Sequence, residues 1–133
     1  MVAGVADTHT ALWYLFGDSR LSTRAKEFID QAADSRRSIE ISPISLAEIV
    51  YLVEKGRIQA SALEDLRRTL EDPNHVFKEA PFTADIVNAM RHVPREEVPD
   101  MPDRIVAATA VYFGVPAISK DGRIKGSSVR SVW

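Results

Sequence analysis

The sequence predicts an α/β fold in which a mostly parallel sheet of four to five strands lies between two layers of helices. Short apolar runs alternate along the chain with amphipathic stretches of helical periodicity. Strands separated by helices usually form a parallel sheet that is covered on both faces. The length of 133 residues suits one domain with a hydrophobic core and is too short for two. We therefore expect a single α/β/α domain over residues 1–133.

Each element is predicted from periodicity and from the residues that flank it. Val2–Ala6 is a short apolar run typical of a buried strand, and Thr8–Phe16 is a helix that ends before a glycine. Ser45 and Ser61 each precede a glutamate by three residues, which is capping-box spacing, so helices are expected to begin beside them and to cover 45–55 and 62–70. The other predicted segments are helices 22–33, 83–91 and 103–113, strands 38–42, 75–79, 116–119 and 129–132, and a proline-rich loop over 94–102.

Composition limits the class of function. Apolar residues make up 45% of the chain and the formal net charge is −2, which excludes nucleic-acid binding through bulk positive charge. The chain has no cysteine, so thiolate catalysis, disulfides and cysteine metal sites are excluded. The N-terminus lacks the basic region of a signal peptide, and the uncharged run over 105–118 is shorter than the ~20 apolar residues of a membrane span. We expect a cytoplasmic protein that does not contact a membrane.

Acidic residues stand where predicted strands end or helices begin. Asp7 and Asp121 directly follow the first and fourth strands. Glu48 lies in the first turn of the helix after the second strand. Asp103, with Asp100 three residues earlier, begins the helix before the fourth strand. Sites in open α/β sheets lie beyond the carboxyl ends of the strands, so these acids are expected to converge there.

Converging carboxylates repel one another, and a divalent cation relieves that repulsion. Magnesium prefers oxygen ligands, orients a phosphate and lowers the pKa of bound water, so hydrolysis of a phosphodiester is the reaction class that the acids indicate. Each acid also has a structural interpretation. Glu48 fits a capping box, Asp103 fits a helix N-terminus, and Asp7 and Asp121 fit turns. The chain has no phosphate-binding loop, dinucleotide fingerprint or serine elbow, and its three histidines lack zinc spacing.

Four segments of the chain resemble, in order and in spacing, the PIN-domain family and in particular the VapC-type toxins of toxin–antitoxin pairs. The segments are Ala6–His9 followed by Ala11–Trp13, Ile44–Ile49, Asp100–Ala108, and Ser119–Asp121. The resemblance covers the chain from about Val5 to the C-terminus.

The resemblance implies a PIN-like α/β/α sandwich and an Mg²⁺- or Mn²⁺-dependent ribonuclease. It also implies a homodimer and a cognate VapB-type antitoxin that lies in a groove beside the active site. The family's acidic positions fall on Asp7, Glu48, Asp103 and Asp121. Asp7, Asp103 and Asp121 are expected to be metal ligands, with Glu48 either a ligand or a base. Three roles stay open for Asp100: a metal ligand, an acid that supports the ligands, or the cap of a helix.

Other polar residues are candidates for supporting the acids or contacting RNA. Thr8 and Ser119 flank the acids and are expected to hydrogen-bond either carboxylates and phosphate or local backbone. Arg104 follows an acid directly, and an ion pair is its alternative role. The segment 120–130 is predicted to be a mobile basic loop that contacts phosphates or is simply solvated. Its basic residues are Lys120, Arg123, Lys125 and Arg130.

Two other functions remain open from the sequence. A receiver domain also has an acidic magnesium pocket, but it requires adjacent acids after the first strand, and Asp7 stands alone. A PIN-like module that binds RNA or a partner without catalysis is the second alternative, and the four intact acids speak against it.

Overall fold

The computed structural model covers all 133 residues, Met1–Trp133, and has five strands and seven α-helices. The strands are β1 (Val2–Ala6), β2 (Ser38–Ile41), β3 (Phe77–Glu79), β4 (Ala117–Ile118) and β5 (Ser131–Val132). The helices are α1 (Thr8–Phe16), α2 (Thr23–Asp34), α3 (Pro43–Glu54), α4 (Ala62–Glu71), α5 (Ala84–Ala89), α6 (Met101–Phe113) and α7 (Gly122–Lys125). A 3₁₀ turn, Met90–His92, follows α5.

The strands form one sheet in the order β3-β2-β1-β4-β5, and every neighbouring pair is parallel. The predicted α/β class and the parallel sheet are therefore confirmed. The chain runs outward from β1 to β3, then crosses to the other side of β1 and continues to β5. The strand order thus reverses between β1 and β4, and a site is expected at the carboxyl ends of these two strands.

The hydrophobic core lies on both faces of the sheet. On one face the side chains of α1 to α4 pack on the strands, with Ile29, Ile49 and Leu66 fully buried. On the other face α5, α6 and α7 contribute a second cluster that includes Val106 and Ile124. This division produces the predicted three layers, because each parallel crossover returns over a face of the sheet.

One glycine lets β1 approach its neighbours closely. A Cβ at Gly4 would lie 3.1 Å from Phe28 Cε1 and 3.2 Å from the carbonyl oxygen of Pro116. A side chain at this position would displace both neighbours by a few tenths of an ångström, so glycine allows α2 and the residue before β4 to pack closely on the β1 backbone.

The prediction of capping boxes was wrong. Helix α3 begins at Pro43, and the Oγ of Ser42 accepts the cap hydrogen bond from the Ile44 amide at 3.2 Å. Proline is favoured in the first helical turn, and it moves the start two residues ahead of Ser45. The Ser45 hydroxyl is buried without a partner, and Ser61 makes no side-chain cap at α4. Glu48 therefore does not cap helix α3, although its spacing from Ser45 predicted that role.

Two further boundaries differ from the prediction. Helix α6 begins at Met101, because Asp100 is its N-cap and accepts from the Asp103 amide at 3.2 Å. The predicted loop over 120–130 contains the short helix α7, which Asp121 caps. No helix of the chain is both long enough and apolar enough to cross a membrane.

Candidate metal centre

The four predicted acids meet in one cavity of about 300 Å³ at the carboxyl ends of β1 and β4. Their side chains come from β1, α3, α6 and the turn after β4, which are far apart in sequence. The residues that line the cavity are Asp7, Thr8, His9, Trp13, Glu48, Asp103, Lys120 and Asp121. Four carboxylates face one lysine in this space, so the cavity carries excess negative charge.

Asp7 is held in place by hydrogen bonds to both carboxylate oxygens. It is the N-cap of α1, and its Oδ1 accepts from the Thr10 amide at 2.9 Å. Its Oδ2 accepts from the hydroxyl of Ser119, which follows β4. Asp7 is nine-tenths buried, so these donors replace the water that the charged group loses.

Ser119 connects the first and fourth acids. Its fully buried hydroxyl donates to Asp7 and accepts from the Asp121 amide at 2.9 Å. Asp121 in turn caps α7, since its Oδ1 accepts from the amides of Arg123 and Ile124 at 2.9 and 3.1 Å. The hydroxyl of Ser119 therefore sets the spacing between two carboxylates of the cavity.

Glu48 is joined to the residue that follows Asp7. The hydroxyl of Thr8 donates to Glu48 Oε1 at 2.5 Å, which ties α3 to the start of α1. The other carboxylate oxygen, Oε2, receives no hydrogen bond from the protein. Of the alternatives for Thr8 and Ser119, the structure shows bonds to carboxylates rather than local turn bonds alone.

Asp103 differs from the other acids because no group of the protein donates to its carboxylate. Burial raises its pKa to about 7, and the charges of Asp121, Asp100, Glu48 and Asp7 add to the shift. Asp100 does not line the cavity, and its carboxylate caps α6. Near neutral pH, a substantial fraction of Asp103 is therefore protonated in the metal-free protein.

The basic candidates lie in different places. Lys120 lines the cavity, whereas Arg123 and Lys125 lie on α7 outside its lining. Arg104 donates to the backbone carbonyl oxygens of Val93 and Met90 at 2.8 and 3.0 Å, so it holds the segment before α6 instead of forming the expected ion pair. Arg130 donates to the Gly114 carbonyl, which precedes β4, and is directed away from the cavity.

Sequence reasoning missed two residues of the cavity wall. His9 and Trp13 both line it, and their rings stack with centroids 5.5 Å apart. They are four residues apart in the helix that begins directly after Asp7, so they share the helical face nearest the acid. That spacing was the signal that could have identified them.

The donor set fits a hard divalent cation. All the strong ligands of the cavity are carboxylate oxygens, His9 is its one imidazole, and the chain has no cysteine, which favours Mg²⁺ or Mn²⁺ over zinc. As the side chains stand, no group of three or more His, Asp or Glu residues is arranged to hold an ion. A bound cation would therefore require the carboxylates to adjust.

Sequence comparison gives the class of the protein. The family model of the PIN domain matches residues 5–126, so the chain belongs to the PIN-domain family. This match spans the segments on which the resemblance rested and includes all four acids of the cavity.

Individual relatives agree with that class. Ribonuclease VapC22 of Mycobacterium tuberculosis is 28% identical over 125 residues, which cover 94% of this chain and 92% of that protein. The fold is similar to that of VapBC2 from Rickettsia felis bound to a promoter DNA fragment, with a TM-score of 0.69, 17% identity and coverage of 98% of this chain and 97% of that one. A toxin–antitoxin complex from Klebsiella pneumoniae matches with a TM-score of 0.59, 20% identity and coverage of 93% and 91%.

Proposed function

We propose that this protein is a metal-dependent endoribonuclease that acts as the toxin of a toxin–antitoxin pair. The observation that carries the proposal is the meeting of four carboxylates, from four separate elements, in one cavity of a PIN fold. Support also comes from the relative named as a ribonuclease, which is similar over nearly the whole chain.

We propose that Mg²⁺ or Mn²⁺ is held by Asp7, Asp103 and Asp121. Glu48 either binds the ion itself or holds one of the water molecules of the ion. When bound, such an ion orients a phosphate, lowers the pKa of water and stabilises the charge that develops in hydrolysis.

The protein residues have separate roles in this proposal. Oε2 of Glu48, which no protein donor contacts, is suited to accept a proton from the attacking water. Ser119 and Thr8 orient carboxylates through their hydroxyls. Lys120 is the cation of the cavity wall, and it is suited to contact a phosphate of the RNA.

A second cavity adjoins the first and suits the antitoxin. Its volume is about 560 Å³, it shares His9 and Trp13 with the acidic cavity, and apolar side chains such as Phe16 and Ile58 line it. The solved structures similar to this one include toxin–antitoxin complexes. We propose that a VapB-type antitoxin occupies this groove and thereby covers the approach to the acids.

Exposed apolar side chains on neighbouring helices support a homodimer. Val50 and Tyr51 on α3, and Met101 and Tyr112 on α6, are 39%, 60%, 63% and 48% exposed. Helices α3 and α6 pack against each other, so these side chains are candidates for one apolar surface. Analytical ultracentrifugation of the protein without its antitoxin tests this part of the proposal.

Cleavage of a pooled, structured RNA by the purified protein with Mn²⁺ tests the catalytic part. Cleavage should disappear with EDTA and in Asp7→Asn, which keeps the Oδ1 acceptor for the Thr10 amide and presents an amide N–H that can donate to the Ser119 hydroxyl oxygen. Asp85→Asn is the matched control, because Asp85 is an exposed aspartate of α5 outside the cavity. It should cleave like the wild type.

The outcomes separate the competing functions. A fully active Asp7→Asn would overturn the assigned site. Metal binding by calorimetry without any cleavage would favour the binding-only module. Stable labelling of an aspartate by a phosphodonor, again without RNA cleavage, would instead indicate a receiver domain.

A further inference from the structure

The wall of the acidic cavity carries an aromatic pair that the chemistry of the carboxylates does not use. His9 and Trp13 lie one turn apart on α1, and their rings are nearly parallel, at 29°. Both rings line the acidic cavity and also the larger cavity beside it. An RNA strand that extends from the carboxylates into the larger cavity would therefore pass over this pair.

This pair is not part of the hydrophobic core. Tyr14 and Leu15, the next residues of α1, pack against the core cluster, whereas Trp13 does not belong to it. His9 is exposed although its ring stacks on Trp13. The indole thus covers one face of the imidazole, while the residue as a whole is exposed to solvent.

Cationic side chains surround the indole. The guanidinium of Arg20 lies 5.1 Å from the Trp13 ring centroid and the ammonium of Lys120 lies 5.9 Å from it. The ring of Trp133 contacts Trp13 from a further side, at 5.8 Å and 59°. Both cations lie over the indole ring, so the surface available to a base is the exposed His9 imidazole. An aromatic ring beside two cations matches the two chemical parts of a nucleotide, a base and a phosphate.

We propose that the His9–Trp13 stack is a subsite for one unpaired base of the RNA next to the cleaved phosphate. This inference rests on the proposed ribonuclease function and assigns two residues of this chain to contact with a base of the substrate. A base within a duplex is stacked on its neighbours and cannot lie on a protein ring, whereas a base in a loop or single strand can. The subsite therefore accepts an unpaired base, and it tolerates different bases because each has a π-face.

Fluorescence of Trp13 tests the subsite without cleavage. Trp133→Phe leaves Trp13 as the single tryptophan, and EDTA prevents hydrolysis. A 12-nucleotide single-stranded RNA should quench this fluorescence, whereas the same strand made without bases, and a duplex of the same length, should quench it much less. His9→Ala in this background should bind the single strand about 10-fold more weakly.

Two further variants separate stacking from structural damage. His9→Phe keeps an aromatic ring and should retain most of the affinity. Phe82→Ala removes another exposed aromatic, in the segment before α5 and outside both cavities, and should bind like its parent. Circular dichroism melting of each variant shows whether it is folded.

The proposal is overturned if the single strand does not bind, if His9→Ala binds it unchanged, or if the strand without bases binds equally well. Unchanged RNA binding is also expected if the pair holds a protein segment instead of a base. Failure of the ribonuclease function is distinguishable from failure of the subsite. Base-dependent quenching without any cleavage in Mn²⁺ contradicts the ribonuclease function alone. Cleavage that is unchanged in His9→Ala contradicts the subsite alone.

Discussion

Asp7 and Asp103 line the same cavity, but the protein treats the two carboxylates differently. Asp7 accepts hydrogen bonds at both oxygens, from Thr10 and Ser119. Asp103 accepts none, and burial together with its acidic neighbours raises its pKa to about 7. One side of the cavity is therefore organised by hydrogen bonds of the protein, while the carboxylate on the other side has no protein donor to compensate its charge.

This contrast suggests that the Asp7 side of the cavity contributes to the stability of the fold, whereas the Asp103 side serves the proposed function. The Asp7 side is rigid because Ser119 and the caps of α1 and α7 satisfy its polar groups. The Asp103 side carries unfavourable electrostatic energy, which the proposed divalent cation would relieve. Such local strain at a site is tolerated because the rest of the fold provides the stability.

The largest expected effect comes from removing the hydroxyl that organises the Asp7 side. Ser119→Ala removes a donor to Asp7 and the acceptor of the Asp121 amide. We expect Mn²⁺ affinity, measured by calorimetry, to fall by about 10–100-fold, which is typical of losing a residue that orients a metal ligand.

Ser127→Ala is the matched control for this prediction. Its hydroxyl also donates to a carbonyl oxygen, that of Ile124 at 2.7 Å, and accepts an amide, that of Val129 at 3.1 Å, but it touches no acid. Metal affinity should be unchanged in this variant. Equal losses in the two serine variants would show that Ser119 acts through general stability.

The next effect concerns the stability of the metal-free protein. Asp7→Ala removes the N-cap of α1 and leaves the Ser119 hydroxyl without its acceptor. The free energy of unfolding should fall by about 1–2 kcal/mol. Urea denaturation in EDTA measures it, and a more stable Asp7→Ala would contradict the view that this side is organised by hydrogen bonds.

Asp103→Asn should change stability in the opposite direction. The folded-state pKa of Asp103, about 7, lies above its ordinary value of 3.8, so between these values the folded state binds more protons than the unfolded state. The stability of the metal-free protein therefore falls as pH rises from about 4 to about 7. Because Asp103 is partly exposed, solvent screens the interaction, and we expect a gain of only about 1 kcal/mol for the variant at pH 8.

Glu40 also contributes to the pH dependence of stability, so Asp103→Asn has to be compared with the wild type at each pH. Burial also raises the pKa of Glu40, which lies on β2. The wild type and Asp103→Asn both contain Glu40, so the difference between their curves of stability against pH gives the contribution of Asp103. Parallel curves from pH 4 to 8 would show that the Asp103 carboxyl is not desolvated, and cleavage by Asp103→Asn would remove it from the proposed ligands.

The smallest expected effect is at the Thr8–Glu48 bond. Thr8→Val keeps the shape of the side chain and removes the donor to Glu48 Oε1. We expect cleavage of RNA to slow by less than about 10-fold, because Glu48 keeps its place on α3 and loses one orienting bond. Thr8→Ser, which restores a hydroxyl, should recover most of the rate, and a slow Thr8→Ser would contradict the role of the hydroxyl.

The sequence by itself was sufficient for the fold and for the four acids. Apolar runs and helical periodicity depend on local pattern, and they placed the strands and helices within a few residues. Parallel strands separated by helices imply that strand ends share one edge, which was enough to expect the acids together. Composition likewise determined the exclusion of cysteine chemistry.

Only the tertiary structure decided how each acid is held. The partner of Glu48 is 40 residues away in sequence, and the partner of Asp7 is 112 residues away. Local patterns carry no information about such contacts, so the spacing around Ser45 suggested a capping box that the fold does not form. The raised pKa of Asp103 arises in the same way, because burial and the approach of distant carboxylates exist only once the chain has folded.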